Sequence, residues 1–206
     1  RRYLLIDTAG MRPARKVDTA VEKFSLIRVA EAVDRADICV LMLDAAEGPS
    51  RQDKKIADLV LEHRKGCLVL VNKWDLAQGI SPKDYEQAFR REVPFLGFAP
   101  LQFVSARTGH GIQRSIAAVD LVAAQISTTF TTGLLNRVLQ ETFERKSPPS
   151  VRGRRLKLYY ATQTGTRPLR LRMFVNDPDL RVPGYTAFVE RRLRETFGLE
   201  GAPLNL

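Results

Sequence analysis

The chain has 206 residues, 44% hydrophobic and 27% charged, with 33 basic and 23 acidic side chains for a net charge of +10. That length accommodates one ordinary domain and a smaller one, and the composition excludes a disordered tail. The longest apolar runs, Ile38 to Leu43 and Cys67 to Val71, fall far short of the roughly 20 residues that cross a bilayer, and no charged-then-apolar leader opens the chain, so a cytoplasmic protein without membrane contact is expected.

In chain order, the first 127 residues alternate short apolar runs with helical patterns, which predicts βα units around a mostly parallel sheet. Strands are expected at Tyr3 to Ile6, Ile38 to Leu43, Cys67 to Val71 and Leu101 to Val104. Three helices announce their starts: Thr19 with Glu22 reads as a capping box, Ser50 can cap a helix opening at Arg51, and Ser81 can cap one opening at Pro82. Spacings of three and four predict that the first helix buries Leu26, Val29, Ala30 and Val33.

From Thr131 the pattern changes. A helix carrying Leu135, Val138, Leu139 and Phe143 on one face must end before Pro148 and Pro149. Leu156, Leu158 and Tyr160 alternate with polar residues, as Leu169, Leu171 and Met173 alternate with Arg170 and Arg172, so two half-buried antiparallel strands with a basic outer face are expected. A helix from about Tyr185 to Phe197 and a strand near Leu204 complete an αββαβ unit over residues 128–206.

Charge is unevenly spread. Residues 1–127 carry a net +3 and residues 128–206 a net +7, and Ser147 to Arg172 holds seven basic residues and no acidic one. Arg152, Arg154, Arg155, Lys157, Arg170 and Arg172 are therefore candidates for contact with a polyanion, a solvated basic face being the plainer alternative. Cys39 and Cys67 lie inside aliphatic runs and read as core residues, and His63 and His110 lack metal-ligand spacing.

Three motifs follow predicted strands. Asp7-Thr8-Ala9-Gly10 places a carboxylate that can hold a metal-bound water three residues before a glycine whose N–H can approach a phosphate. In Asn72-Lys73-Trp74-Asp75 a carboxylate can accept from the ring N–H and amino group of guanine, a pattern that adenine does not offer. The lysine stem can lie across the base, and the asparagine can tie loops together. Ser105-Ala106-Arg107-Thr108-Gly109 can turn a backbone N–H toward the guanine carbonyl oxygen, or be a plain turn.

With these residues, with Leu43-Asp44-Ala45-Ala46-Glu47-Gly48 and with Leu158-Tyr159-Tyr160-Ala161-Thr162-Gln163, nearly the whole chain resembles the second GTPase domain and the C-terminal KH-like domain of the Der (EngA) family, bacterial double GTPases of large-ribosomal-subunit assembly. The resemblance implies a Ras-like P-loop GTPase domain over residues 1–127, incomplete here, followed by a small α+β KH-like domain over 128–206. It implies GTP and GDP as substrate and product, with Asn72, Lys73 and Asp75 reading guanine, Ser105 and Ala106 lining its pocket, Asp7 near magnesium and Gly10 sensing the γ-phosphate. It also implies a ribosomal RNA or large-subunit partner and a further N-terminal GTPase domain.

The sequence departs from that family in instructive ways. The phosphate loop G-x-x-x-x-G-K-S/T occurs nowhere in it, so these residues alone are not expected to hydrolyse GTP, and a fragment is expected. Met11 stands where Ras-like proteins keep a water-orienting glutamine, and the family implies help from a monovalent cation or from elsewhere in the protein. Gly198-Leu199-Glu200-Gly201 matches the G-x-x-G of KH domains, although a helix-ending glycine turn also explains Gly198. Arg191, Arg192 and Arg194 suit docking of a neighbouring domain. In a Ras-like sheet the strand before the phosphate loop separates Tyr3 to Ile6 from Ile38 to Leu43 by about 10 Å, twice the ordinary spacing, so those two segments should share no ladder. A basic RNA-binding adaptor with a vestigial nucleotide domain is the other reading.

Overall fold

The computed structural model describes residues 2–7 and 19–206, and within the first helix the side chains from 27 onward. The first unit runs α1 (Thr19–Arg35), β1 (Ile38–Asp44), α2 (Arg51–Glu62), β2 (Gly66–Asn72), α3 (Pro82–Glu92), β3 (Leu101–Phe103) and α4 (Ile112–Gln125). Its strands lie side by side in chain order, all parallel, with Ile38 beside Gly66 and Asp44 beside Asn72. Val29 and Val33 of α1, Val60 of α2 and Phe89 of α3 close over Leu41, Leu43, Val69 and Val71 on one face. α4 packs on the other, where Val122 and Ile126 lie against the start of β2.

Local chemistry sets the helix starts. The Ser50 hydroxyl accepts from the Asp53 amide at 3.2 Å while the Asp53 carboxylate accepts from the Ser50 amide at 2.8 Å, a complete capping box. Ser81 accepts from the Asp84 amide at 3.1 Å, with Pro82 in the first turn. The box expected at Thr19 and the side chain of Leu26 lie outside the described residues. On α1 the buried stripe is Val29, Ala32 and Val33, so Ala32 takes the place expected of Ala30.

Two strands that read alike differ in burial. β2 pairs on both edges and is buried nearly throughout, whereas β1 pairs only with β2 among the described residues and leaves Val40 and Met42 exposed beside it. Residues 2–7 form no strand, contrary to the expectation for Tyr3 to Ile6, and share no ladder with β1. A strand needs a hydrogen-bonding neighbour, and β1 does not serve this segment as one. The Tyr3 hydroxyl instead donates to Asp120 of α4 at 2.5 Å.

The second unit is α5 (Thr132–Arg145), a hairpin of β4 (Ser150–Val151) and β5 (Arg154–Arg155), β6 (Leu158–Gly165), β7 (Leu169–Val175), α6 (Pro183–Phe197) and β8 (Leu204–Asn205). β6 runs antiparallel to β7 and β8 parallel to it, giving αββαβ with a hairpin inserted. Leu135 and Leu139 of α5, Val189 and Leu193 of α6, and Ala161, Leu169 and Leu171 of the sheet make its core, joined by Val122 of α4 and Ile126 just past its end.

The units are stitched at the N-terminal end of the parallel sheet. The Gly201 amide donates to the Phe98 carbonyl at 2.7 Å, and the Cys67 amide donates to the Gly201 carbonyl at 2.8 Å. Gly201 has φ +72°, and a Cβ there would stand 2.5 Å from the Val122 side chain and 2.8 Å from the Cys67 carbonyl oxygen, so only glycine fits. The second glycine of the G-x-x-G segment thus serves docking, which argues against the RNA-clamp reading, while Gly198 ends α6 in the left-handed region. Of the three arginines expected to dock, Arg194 does so, donating to the Ala202 carbonyl and lying 4.7 Å over the Phe98 ring, whereas Arg191 and Arg192 pair with Glu195 of their own helix. Burial pushes the Arg194 pKa down to about 10, with Glu190 opposing. Among the described residues no helix is long and apolar enough to cross a membrane.

Candidate functional site

At the opposite, C-terminal end of the strands, the polar residues gather. Asn72 closes β2, and its Oδ1 accepts from the Ala106 amide at 3.0 Å, tying the strand to the turn after β3. Lys73 sits at φ +59° in the left-handed region, and its ammonium meets the Asp44 carboxylate at 2.5 Å, bridging to the end of β1. Asp44 also accepts from the Ala46 amide at 2.9 Å, and the Lys73 ammonium followed by that amide holds its carboxyl below 3.8.

Asp75 lies in a short 3-10 turn, Trp74–Leu76. Trp74 anchors that turn: its amide donates to the Val104 carbonyl at 3.0 Å, and its ring lies 4.4 Å from Phe103 and edge-on to Tyr85 at 5.7 Å. The Asp75 carboxylate accepts from Arg107 at 2.6 Å. The Ser105 hydroxyl, first, and the Arg107 guanidinium draw its pKa below 3.8. Ser105 is almost wholly buried and also accepts from the Thr108 amide at 3.2 Å, so the turn is built around its side chain. Gly111 completes the turn at φ +74°, where a Cβ would collide with the Phe103 carbonyl.

The structure therefore brings Asn72, Lys73, Asp75, Ser105 and Ala106 into one rim. Asp44, Trp74 and Arg107, to which sequence reasoning gave no role, complete it. Asp44 could have been suspected as the carboxylate ending a strand beside Asn72. Asp7 is exposed at the end of residues 2–7, and Gly10 and Met11 lie outside the described residues. Among the described residues no three His, Cys, Asp or Glu side chains gather as a metal site.

The basic candidates lie in the sheet and the inserted hairpin of the second unit. Arg170 and Arg172 project from the outer face of β7, and Arg152, Arg154 and Arg155 ride on the β4–β5 hairpin, with Arg154 paired to Asp177 at 3.1 Å. Lys157 is exposed between hairpin and sheet, its amide donating to Asn176 Oδ1 at 2.7 Å.

A parallel sheet with flanking helices, with a half-buried carboxylate, an amide and a buried serine converging at its C-terminal end, has its site where α/β nucleotide-binding folds place theirs, and its fold is that of the P-loop GTPase class. Residues 1–142 match the elongation factor Tu GTP binding domain, and residues 130–206 match the C-terminal KH-domain-like region of EngA bacterial GTPase enzymes. Proteins named GTPase Der from Caldanaerobacter subterraneus subsp. tengcongensis and from Thermoanaerobacter are 45% and 41% identical to the chain over 206 residues, 99% of it. The chain belongs to this Der (EngA) GTPase family. It spans about half the length of these relatives, 47% of each. Aquifex aeolicus Era, solved with GDP and aluminium fluoride, is similar over 97% of this chain and 74% of its own at 16% identity, with a TM-score of 0.46.

Proposed function

We propose that this chain is the guanine-reading part and the C-terminal module of a GTP-binding and GTP-hydrolysing factor for large-ribosomal-subunit biogenesis. The observation that carries the reading is the rim itself: Asp75 presents an ionised carboxylate beside Asn72, Ser105 and Ala106. Residues 1–127 are the GTPase domain and 128–206 the KH-like domain, the second of two GTPase domains in the full-length protein. The Asp75 carboxylate accepts from the guanine ring N–H and amino group, exchanging its bond with Arg107 for them. The guanine carbonyl oxygen shares the Ala106 amide with Asn72, and the Lys73 stem lies over the base. Exposed Val40 and Met42 on the open edge of β1, with Ile116 of α4, are the apolar face that a strand and helix bearing the phosphate loop would cover. Asp7 is the candidate for a magnesium-bound water once phosphates are held nearby.

For the C-terminal module, the acid-free stretch from Ser147 to Arg172 and the exposed arginines of β7 support contact with ribosomal RNA. Competition between GDP and ADP for the full-length protein tests the nucleotide reading. A strong preference for GDP is expected, and equal affinity, or none, would favour the adaptor with a vestigial nucleotide domain.

A further inference from the structure

Strict alternation along β6 would put Tyr160 on the core face with Leu158. The register shows otherwise. Leu158 faces Val175 while Tyr160 faces Phe174, so β6 spends two residues where β7 spends one, and Tyr159 is the extra residue of a β-bulge. Beyond it Ala161 takes the core position, fully buried, and Tyr160 is turned to the outer face. There its ring stacks on Phe174, with centroids 4.2 Å apart and planes 9° from parallel. Tyr159 and Tyr160 remain 62% and 48% exposed, a large aromatic surface for a small domain to leave in water.

The same face continues with Thr162 opposite Arg172 and then with Arg170. Both arginines are exposed, and neither is held in an ion pair among the described residues. At about 3.4 Å per residue they follow Phe174 by about 7 and 14 Å along β7. Aromatic rings open to stacking, followed by free cations at such intervals, are what an unpaired nucleic-acid strand needs: a π-face for a base and charge for its phosphates. A duplex, whose bases already stack on each other, can use only the cations. In the G-x-x-G segment the backbone of Gly201 is already taken by Phe98 and Cys67 of the first unit.

Resting on the reading of the C-terminal module as RNA-contacting, we propose that the outer face of β6 and β7 is a site for an unpaired RNA segment, one base lying on the Tyr160–Phe174 pair and the flanking phosphates on Arg172 and Arg170. The bulge at Tyr159 is the device that builds it.

The test measures binding of a labelled single-stranded oligonucleotide and of the matching duplex to the full-length protein over a range of salt. Tyr160→Leu should weaken the single strand by about five- to tenfold and leave its salt slope and the duplex affinity unchanged. Tyr160→Phe, which keeps a ring, should restore binding. Arg170→Gln with Arg172→Gln should flatten the single-strand slope by about 1.4 units. If the arginine changes weaken both RNAs while Tyr160→Leu weakens neither, the face is a phosphate contact only and the stacking site is overturned, with the RNA reading intact. If no variant alters either RNA, or if the protein binds no RNA at low salt, both readings fall.

Discussion

The two ends of the parallel sheet are built from the same three strands and held in opposite ways. At the N-terminal end, backbone hydrogen bonds through Gly201 and the half-buried Arg194 on Phe98 lock one unit to the other, and at Gly201 the space admits no added atom. At the C-terminal end, the half-buried carboxylates of Asp44 and Asp75 pair with Lys73 and Arg107, cations whose own side chains stand largely in water. Such pairs are weak and exchange readily, whereas a buried backbone bond left unmade costs its full desolvation. One end is therefore a joint that fixes the second unit, and the other is a rim whose internal bonds a ligand can replace.

Filling the joint should have the largest effect. Gly201→Val combines a left-handed backbone with overlap against Val122 and the Cys67 carbonyl, and should cost about 4 kcal/mol in denaturant unfolding. A loss under about 1 kcal/mol would show that the joint is looser than described. Next comes the open edge of β1. Met42→Lys in the full-length protein should destabilise by about 3 kcal/mol if a strand and helix cover that face, and by little if it faces water; calorimetry distinguishes the two. Smaller still is a pH effect at the rim. The Asp75 carboxyl titrates below its ordinary 3.8, so its contribution to stability is whole above that pH and is lost as the pH falls through the folded value. Ser105→Ala should move its NMR titration midpoint back up more than Arg107→Ala does; the reverse order would show that the ion pair, and not the serine hydroxyl, sets its charge.

What could be read from the sequence was what short range decides. Ser50 with Asp53 and Ser81 with Pro82 carry their caps within four residues, and the motif ending in Asp75 follows a strand whose apolar run is continuous because it is paired on both sides. The failures need partners far along the chain. Tyr3 to Ile6 has a strand's residues but no ladder neighbour among the described residues, and alternation puts Tyr160 inward because it cannot foresee a bulge that only β7 reveals. The docking role of Gly201 was not legible, because nothing local announces that Cys67 and Phe98 close on it. In the rim, Arg107 was missed for the same reason: its bond to Asp75 spans 32 residues.

The most direct test of the rim is an exchange of base preference. In the full-length protein, Asp75→Asn replaces an acceptor by an amide that can present a donor to the same edge of the base, so competition between GDP and XDP should shift toward xanthine by at least about tenfold. An unchanged GDP-to-XDP ratio would contradict the assignment of Asp75 as the residue that reads guanine.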